Sequence, residues 1–230
     1  MTQIPLRINL PSPSSFANYL VGPNAAAVNA VQRFAGGDLD STCLFLWGAS
    51  GTGKSHLAEA ALQTANFSKR SCVYLALRND SSLLSDALEG LESLGLVVVD
   101  DIDCVAGEFD WEHAFFRLYN RCESKKGGQL MITSTSPLRK IPFVLRDLSS
   151  RLSSGPVFQL KELSESDRVV AIKQRARERG YEMPDDVCNF LLKRSRRDMH
   201  TLANHLATIE RLTLERKSPV TISVIKAALE

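Results

Sequence analysis

The 230-residue chain lacks any apolar run approaching the length of a membrane span. Its first fifteen residues, MTQIPLRINLPSPSS, have no apolar core of the signal-peptide kind, so export is not expected. Cysteine is scarce and unpatterned. The five (43, 72, 104, 122, 188) are odd in number and show no Cys-x-x-Cys spacing, which fits a reducing cytoplasm better than a disulfide framework. Cys43 and Cys72 sit in apolar runs and read as small core residues. Metal-ligand spacing is missing too: His200 and His205 are five apart, on different faces of a helix, and no Cys/His pair is suitably placed. Net charge is only +2, which does not separate a nucleic-acid binder from a neutral enzyme. No internal repeat is visible. What remains is ordinary globular composition, 44% hydrophobic and 23% charged. The length suits one large domain, or a medium one with a small companion.

Along the chain the pattern begins with a Pro- and Ser-rich stretch over residues 1–15, read as an extended arm. Short apolar runs then alternate with helical patterns. TCLFLW (42–47) precedes KSHLAEAALQTA, and CVYLAL (72–77) precedes SSLLSDALEGL, which reads as a helix opened by serines. LGLVVVDD (94–101) precedes FDWEHAFFRLYNRCESKK, a long helix stopped at Gly127 and Gly128. QLMITST (129–135) and VFQL (157–160) complete the strand series. Strands of nearly continuous apolar character alternating with helices predict an α/β domain with a parallel sheet covered on both faces.

Beyond Leu160 only helical signals remain. SESD (164–167) is a capping box, Pro184 suits a first helical turn, and Met199, Leu202, Leu206 and Ile209 form one apolar stripe. SVIKAALE fits a last helix. The expected division is an arm over 1–15, an α/β domain over 16–160 and a small helical domain over 161–230.

GASGTGKS (48–55) matches the Gly-x-x-x-x-Gly-Lys-Ser phosphate loop, with a strand before it and a helix after. Gly48, Gly51 and Gly53 let the backbone turn its N–H groups inward, with Ala49, Ser50 and Thr52 between them. Lys54 offers a point charge to the β- and γ-phosphates, and the Ser55 hydroxyl suits Mg²⁺. The helix beginning there adds its positive dipole end. LVVVDD puts Asp100 at the carboxyl end of a buried strand, where open α/β sheets bind ligands. Asp100 suits Mg²⁺ directly or through water, and Asp101 suits polarising an attacking water. Two adjacent carboxylates there need a cation or solvent beside them.

Several stretches together resemble the AAA+ core of the bacterial replication initiator DnaA: LFLWGASGTGKSHLAEA, LVVVDDID, ITSTSPLRKIP, LSSRLSSG and RRDMHTLANHL, in that order. Within that family the resemblance is nearest to the Hda branch, homologues that act in regulatory inactivation of DnaA. Trp47, AGEFDWEHAFFRLYNR, RARERGYEMPDDVCNFLLKR and the total length favour that branch. DnaA carries a further C-terminal DNA-binding domain, and this chain ends where that would begin. The resemblance covers nearly the whole chain and implies an AAA+ P-loop domain followed by a helical lid.

It also implies roles. Thr135, with Ser134 as the alternative, falls where AAA+ proteins place a polar γ-phosphate sensor, and DnaA-like proteins usually have Asp there. Arg151 falls on the arginine finger, which reaches a neighbour's nucleotide. His200 falls where the family has a lid arginine, and its shorter, mostly neutral ring makes a weaker contact. Tyr19, Leu20 and Val21, with Gly22, correspond to the segment that meets the base, and His56 follows the loop as a helix residue. Gln3, Leu6 and Ile8 in QIPLRI resemble a clamp-binding peptide, although so degenerate a pattern also arises by chance.

The implied function is negative regulation of replication initiation in the cytoplasm. The chain would bind an adenine nucleotide with Mg²⁺, dock on the DNA-loaded sliding clamp (the DNA polymerase III beta subunit) and stimulate ATP hydrolysis by DnaA. ADP is the expected resting ligand, because Thr135 and His200 both depart from residues that read a γ-phosphate. Intrinsic turnover is expected to be slow. A DnaA-related adaptor or loader, or a stand-alone P-loop ATPase, stays open, as does a homo-oligomer. Arg175, Arg177, Arg179, Lys193, Arg194, Arg196 and Arg197 either touch DNA threaded through the clamp or form a solvated face, the simpler account.

Overall fold

The computed structural model describes residues 14–78, 84–125, 128–194, 199–216 and 220–229. Gln3, Leu6, Ile8, Arg196 and Arg197 lie outside them. Contacts divide the described chain into two units, Ser14–Glu162 and Leu163–Glu230.

In the first unit the apolar runs form five strands: β1 (Cys43–Trp47), β2 (Cys72–Ala76), β3 (Leu96–Asp100), β4 (Gln129–Ser134) and β5 (Val157–Gln159). They make one sheet in the order β2-β3-β4-β1-β5, every pairing parallel. Alternation along the strands sorts side chains onto two covered faces. Leu44, Leu46, Val98 and Met131 pack with α1 (Ala25–Gly36) and α2 (Lys54–Phe67). Cys43, Phe45, Val97, Val99, Leu130 and Ile132 pack with α3 (Phe109–Lys125) and α4 (Arg146–Leu152). That double cover is why the strands read as unbroken apolar runs.

One expected helix is absent. The described part of SSLLSDALEGL forms two 3₁₀ turns, Ser85–Leu88 and Leu91–Ser93. Leu84 is extended before the first turn and Glu89 is extended after it, and Gly90 takes a left-handed φ of 80° before the second, so no helix propagates through them.

Strand order brings the chemistry to one edge. β1 lies between β4 and β5, and the chain leaves it towards β2 on one side before returning to β5 on the other. Such a reversal opens a crevice at the carboxyl ends. Register sets Trp47 opposite Ser134 and Ala76 opposite Asp100, so Gly48, Arg78, Asp101 and Thr135 emerge at that edge.

The second unit is helical: α5 (Glu165–Glu178), α6 (Asp185–Arg194), α7 (Met199–Arg216) and α8 (Ile222–Leu229). Ser164 caps α5 by accepting the Asp167 N–H at 3.1 Å. Ile172, Cys188, Leu191, Leu206, Ile209 and Ile225 make its core. The basic residues here do not form one solvated face. Arg179 is half-buried and paired with Glu210 at 2.8 Å, and burial holds the Arg175 guanidinium below its ordinary range. Arg194 lies over the Phe190 ring, and Arg177 lines a cavity of about 530 Å³ with Lys173 and Asp185. No helix of the described residues is long and apolar enough to cross a membrane.

Candidate nucleotide site

The loop between β1 and α2 is pinned at its start. Gly48 donates its N–H to the Ser134 carbonyl at 3.2 Å, and Leu160 donates to the Trp47 carbonyl at 2.7 Å. A Cβ at Gly48 would lie 2.6 Å from the Leu160 carbonyl, so this position admits only glycine. Gly51 and Gly53 adopt φ of 80° and 92°, and Gly53 is the N-cap of α2. Thr52 closes the turn, its hydroxyl donating to the Ala49 carbonyl at 2.9 Å. Ser50 and Ser55 are exposed.

Lys54 is only 6% exposed. Its ammonium folds back on the loop, donating to Gly48 O at 2.9 Å and Ala49 O at 3.2 Å. Burial holds it below the ordinary lysine range; Asp101, Asp100 and Asp103 oppose that fall, and Arg78 adds to it. A loop with a buried ammonium fits a phosphate group, which would supply the acceptors that the loop carbonyls now provide.

The adjacent carboxylates are separated by their partners. Asp100 is buried, accepting from Thr133 Oγ1 at 2.5 Å and Tyr74 OH at 2.8 Å. Asp101 is turned away by a left-handed backbone, φ 61°, and forms an ion pair with Arg78 Nε at 2.7 Å. Its own N–H donates to Thr133 Oγ1 at 2.9 Å. Asp103 takes the N–H of Thr135 at 3.2 Å and its hydroxyl as well. The sensor position is therefore already engaged by a carboxylate, and Ser134 is buried, its hydroxyl oxygen accepting the Ser136 N–H at 3.0 Å. Among the described residues no group of three or more His, Cys, Asp or Glu could hold a metal alone. Asp100 and Ser55 are of the donor types that Mg²⁺ takes, one or two carboxylates with water and phosphate oxygens completing its shell, although both Asp100 oxygens here accept from Thr133 and Tyr74.

The segment expected to meet the base packs on the loop. Tyr19 donates its hydroxyl to the Thr52 carbonyl at 3.2 Å and tilts against His56 with centroids 5.4 Å apart; burial pushes the phenol up to about 12. His56 is held through Nε2 to the Ser15 carbonyl at 2.9 Å. Leu20 and Val21 are half-buried beside Gly22. Buried Asn24 ties the segment to the end of β5, exchanging hydrogen bonds with the Lys161 backbone at 3.0 and 2.8 Å. The His200 backbone lies in the first turn of α7, and its side chain is outside the described residues.

Arg151 occupies the last turn of α4 with its side chain 42% exposed. It has an acidic partner: Nη1 meets Glu123 Oε2 of α3 at 3.0 Å, and the guanidinium lies 5.8 Å from the Tyr119 ring centroid. Arg78, Tyr74, Thr133, Asp103, Asn24 and Glu123 were not anticipated from the sequence. Arg78 and Thr133 had a signal, since each lies at or near the carboxyl end of a parallel strand; Glu123 had none.

A family model for the bacterial DnaA ATPase domain matches residues 10–159, two-thirds of the chain. The chain belongs to the bacterial DnaA ATPase family. A second model, the Hda lid domain, matches residues 165–229, so the DnaA-like AAA+ core carries a lid of the Hda type. Domain III of the Thermotoga maritima replication initiation protein DnaA superposes with a TM-score of 0.81 at 21% identity, over 94% of this chain and 95% of that one. AMPPCP-bound DnaA from Aquifex aeolicus gives 0.73 at 23% identity, over 91% and 70%. The Aeropyrum pernix Orc1 protein in complex with DNA gives 0.72 at 14%, over 92% and 68%. At such identities the likeness is one of fold.

Proposed function

We propose that this DnaA-family protein is a nucleotide-dependent negative regulator of replication initiation that promotes ATP hydrolysis on DnaA. The observation that carries the reading is the joining of a DnaA-type ATPase domain to an Hda-type lid in one chain. In it, the loop N–H groups and Lys54 bind the phosphates of an adenine nucleotide, ADP at rest, and the Tyr19–Gly22 segment closes over the base. Ser55 and Asp100 would hold Mg²⁺, which neutralises phosphate charge when bound. Thr135, tied to Asp103, is a weak reader of a γ-phosphate, and the Arg78 pair occupies Asp101, which supports slow turnover by the isolated chain. Arg151 leaves Glu123 for the phosphates of a DnaA neighbour, while Gln3, Leu6 and Ile8 dock on the sliding clamp in the cytoplasm.

A second reading is a DnaA-related adaptor that never touches its partner's nucleotide; the existing Arg151–Glu123 pair favours it. One experiment separates them: single-turnover ATP hydrolysis by DnaA with DNA-loaded clamp and this protein, wild type against Arg151→Ala. An arginine finger is worth about 10³–10⁵ in rate, so the mutant should lose nearly all stimulation. Equal stimulation by the mutant would leave the adaptor.

A further inference from the structure

Glu112 is a carboxylate only 1% exposed on the first turns of α3. A buried carboxylate survives only when its lone pairs are met, and here three backbone N–H groups meet them. Oε1 accepts from Gly107 at 2.7 Å and from Val144 at 3.1 Å; Oε2 accepts from Leu145 at 2.7 Å. Leu145 is the N-cap of α4, and Gly107 lies in the connection that follows Asp101 and Asp103.

The helix thus anchored is seven residues long. Two turns cannot hold their own direction in water, so its orientation is set by what grips its ends. Leu148 and Leu152 are buried beneath it, and Glu123 and Tyr119 of α3 receive Arg151 at its far end. Glu112 grips the beginning through the Val144 and Leu145 N–H groups, and its negative charge there complements the helix dipole.

We propose that Glu112 is the positioning residue of the finger: it fixes the start of α4 and thereby where Arg151 points. The inference rests on the reading of Arg151 as a finger. Misplacing a catalytic group by about 1 Å can cost about 10²-fold in rate, so a loosened α4 lowers the stimulated rate without weakening assembly. Glu112→Gln keeps the side-chain volume but turns one acceptor into an N–H₂ donor facing backbone donors.

The test is single-turnover hydrolysis on DnaA with DNA-loaded clamp, titrating wild type, Glu112→Gln and Arg151→Ala, with binding of fluorescent ADP measured alongside. Glu112→Gln should lower the maximal stimulated rate about tenfold or more, leaving the half-saturating concentration and ADP affinity within about twofold. A folded Glu112→Gln protein with the wild-type maximal rate overturns the proposal, as does a change confined to half-saturation. Stimulation unaffected in Arg151→Ala overturns the finger reading and this inference with it. Amide hydrogen exchange on the wild type supplies a check that needs no variant to fold. Val144 and Leu145 should exchange at least about 10²-fold slower than unprotected amides, and exchange at the unprotected rate overturns the anchor.

Discussion

Lys54 and Arg151 are two cations on one α/β unit, and the chain treats them in opposite ways. Lys54 is buried, held by two loop carbonyls, and surrounded by glycines that bring the backbone to within hydrogen-bonding reach. Arg151 stands half-exposed on a seven-residue helix, satisfied by a carboxylate that is itself 47% exposed. A cation meant for a ligand held in its own cradle gains from burial, because its attraction for a phosphate is then less screened by solvent. A cation meant for another molecule must be able to leave its resting partner, so that partner has to hold it weakly.

The sharpest way to break this contrast is Lys54→Ala. Loss of a charged, desolvated donor to phosphate costs about 3 kcal/mol, roughly 100-fold in ADP affinity by calorimetry. Arg151→Ala should leave ADP affinity within about twofold. The lysine also predicts a pH dependence. Anion binding favours its charged form, and burial lowers its titration, so ADP affinity should fall as pH rises, beginning below the ordinary lysine range. Lys54→Arg should remove that fall. If affinity stays flat through the alkaline range in the wild type, the ammonium is not a phosphate ligand.

A second test concerns the wall behind the loop. A Cβ at Gly53 would sit 2.6 Å from Tyr19 Cε2, at a φ of 92° that side chains avoid. Gly53→Ala should cost about 2–3 kcal/mol in denaturant unfolding, part backbone strain and part overlap. Adding Tyr19→Ala should return the overlap share only. Full restoration would mean that the left-handed backbone carries no penalty here.

These particulars mark what the sequence could disclose. The strands were legible because both faces of a parallel sheet are buried, so CLFLW and the LVVV before Asp100 are apolar throughout. The loop was legible because its glycines and lysine are contiguous. Asp103 with Thr135 and Glu123 with Arg151 are different: the partners lie 32 and 28 positions apart and meet only through strand order and helix packing. Tyr74 and Arg78 reach Asp100 and Asp101 because β2 pairs with β3 in one particular register, which no local spacing reveals. The serine-opened helix failed for a backbone reason: local pattern favoured it, and an extended Glu89 followed by a left-handed Gly90 broke it.

The smallest expected effect bears most directly on the contrast. Glu123→Gln removes the charge that competes for Arg151 but leaves the Tyr119 ring beside the guanidinium. Both side chains are more than two-fifths exposed, so the loss in stability should stay below about 1 kcal/mol. The same figure bounds the gain elsewhere. If Glu123 only parks the arginine, the concentration giving half-maximal stimulation of DnaA should fall, by no more than about fivefold. A rise would mean that Glu123 aims Arg151 instead of storing it, and the two cations would then be alike in being held ready by fixed acceptors. A fall would keep them apart: Lys54 built around the phosphate it binds, Arg151 kept on a partner it can give up.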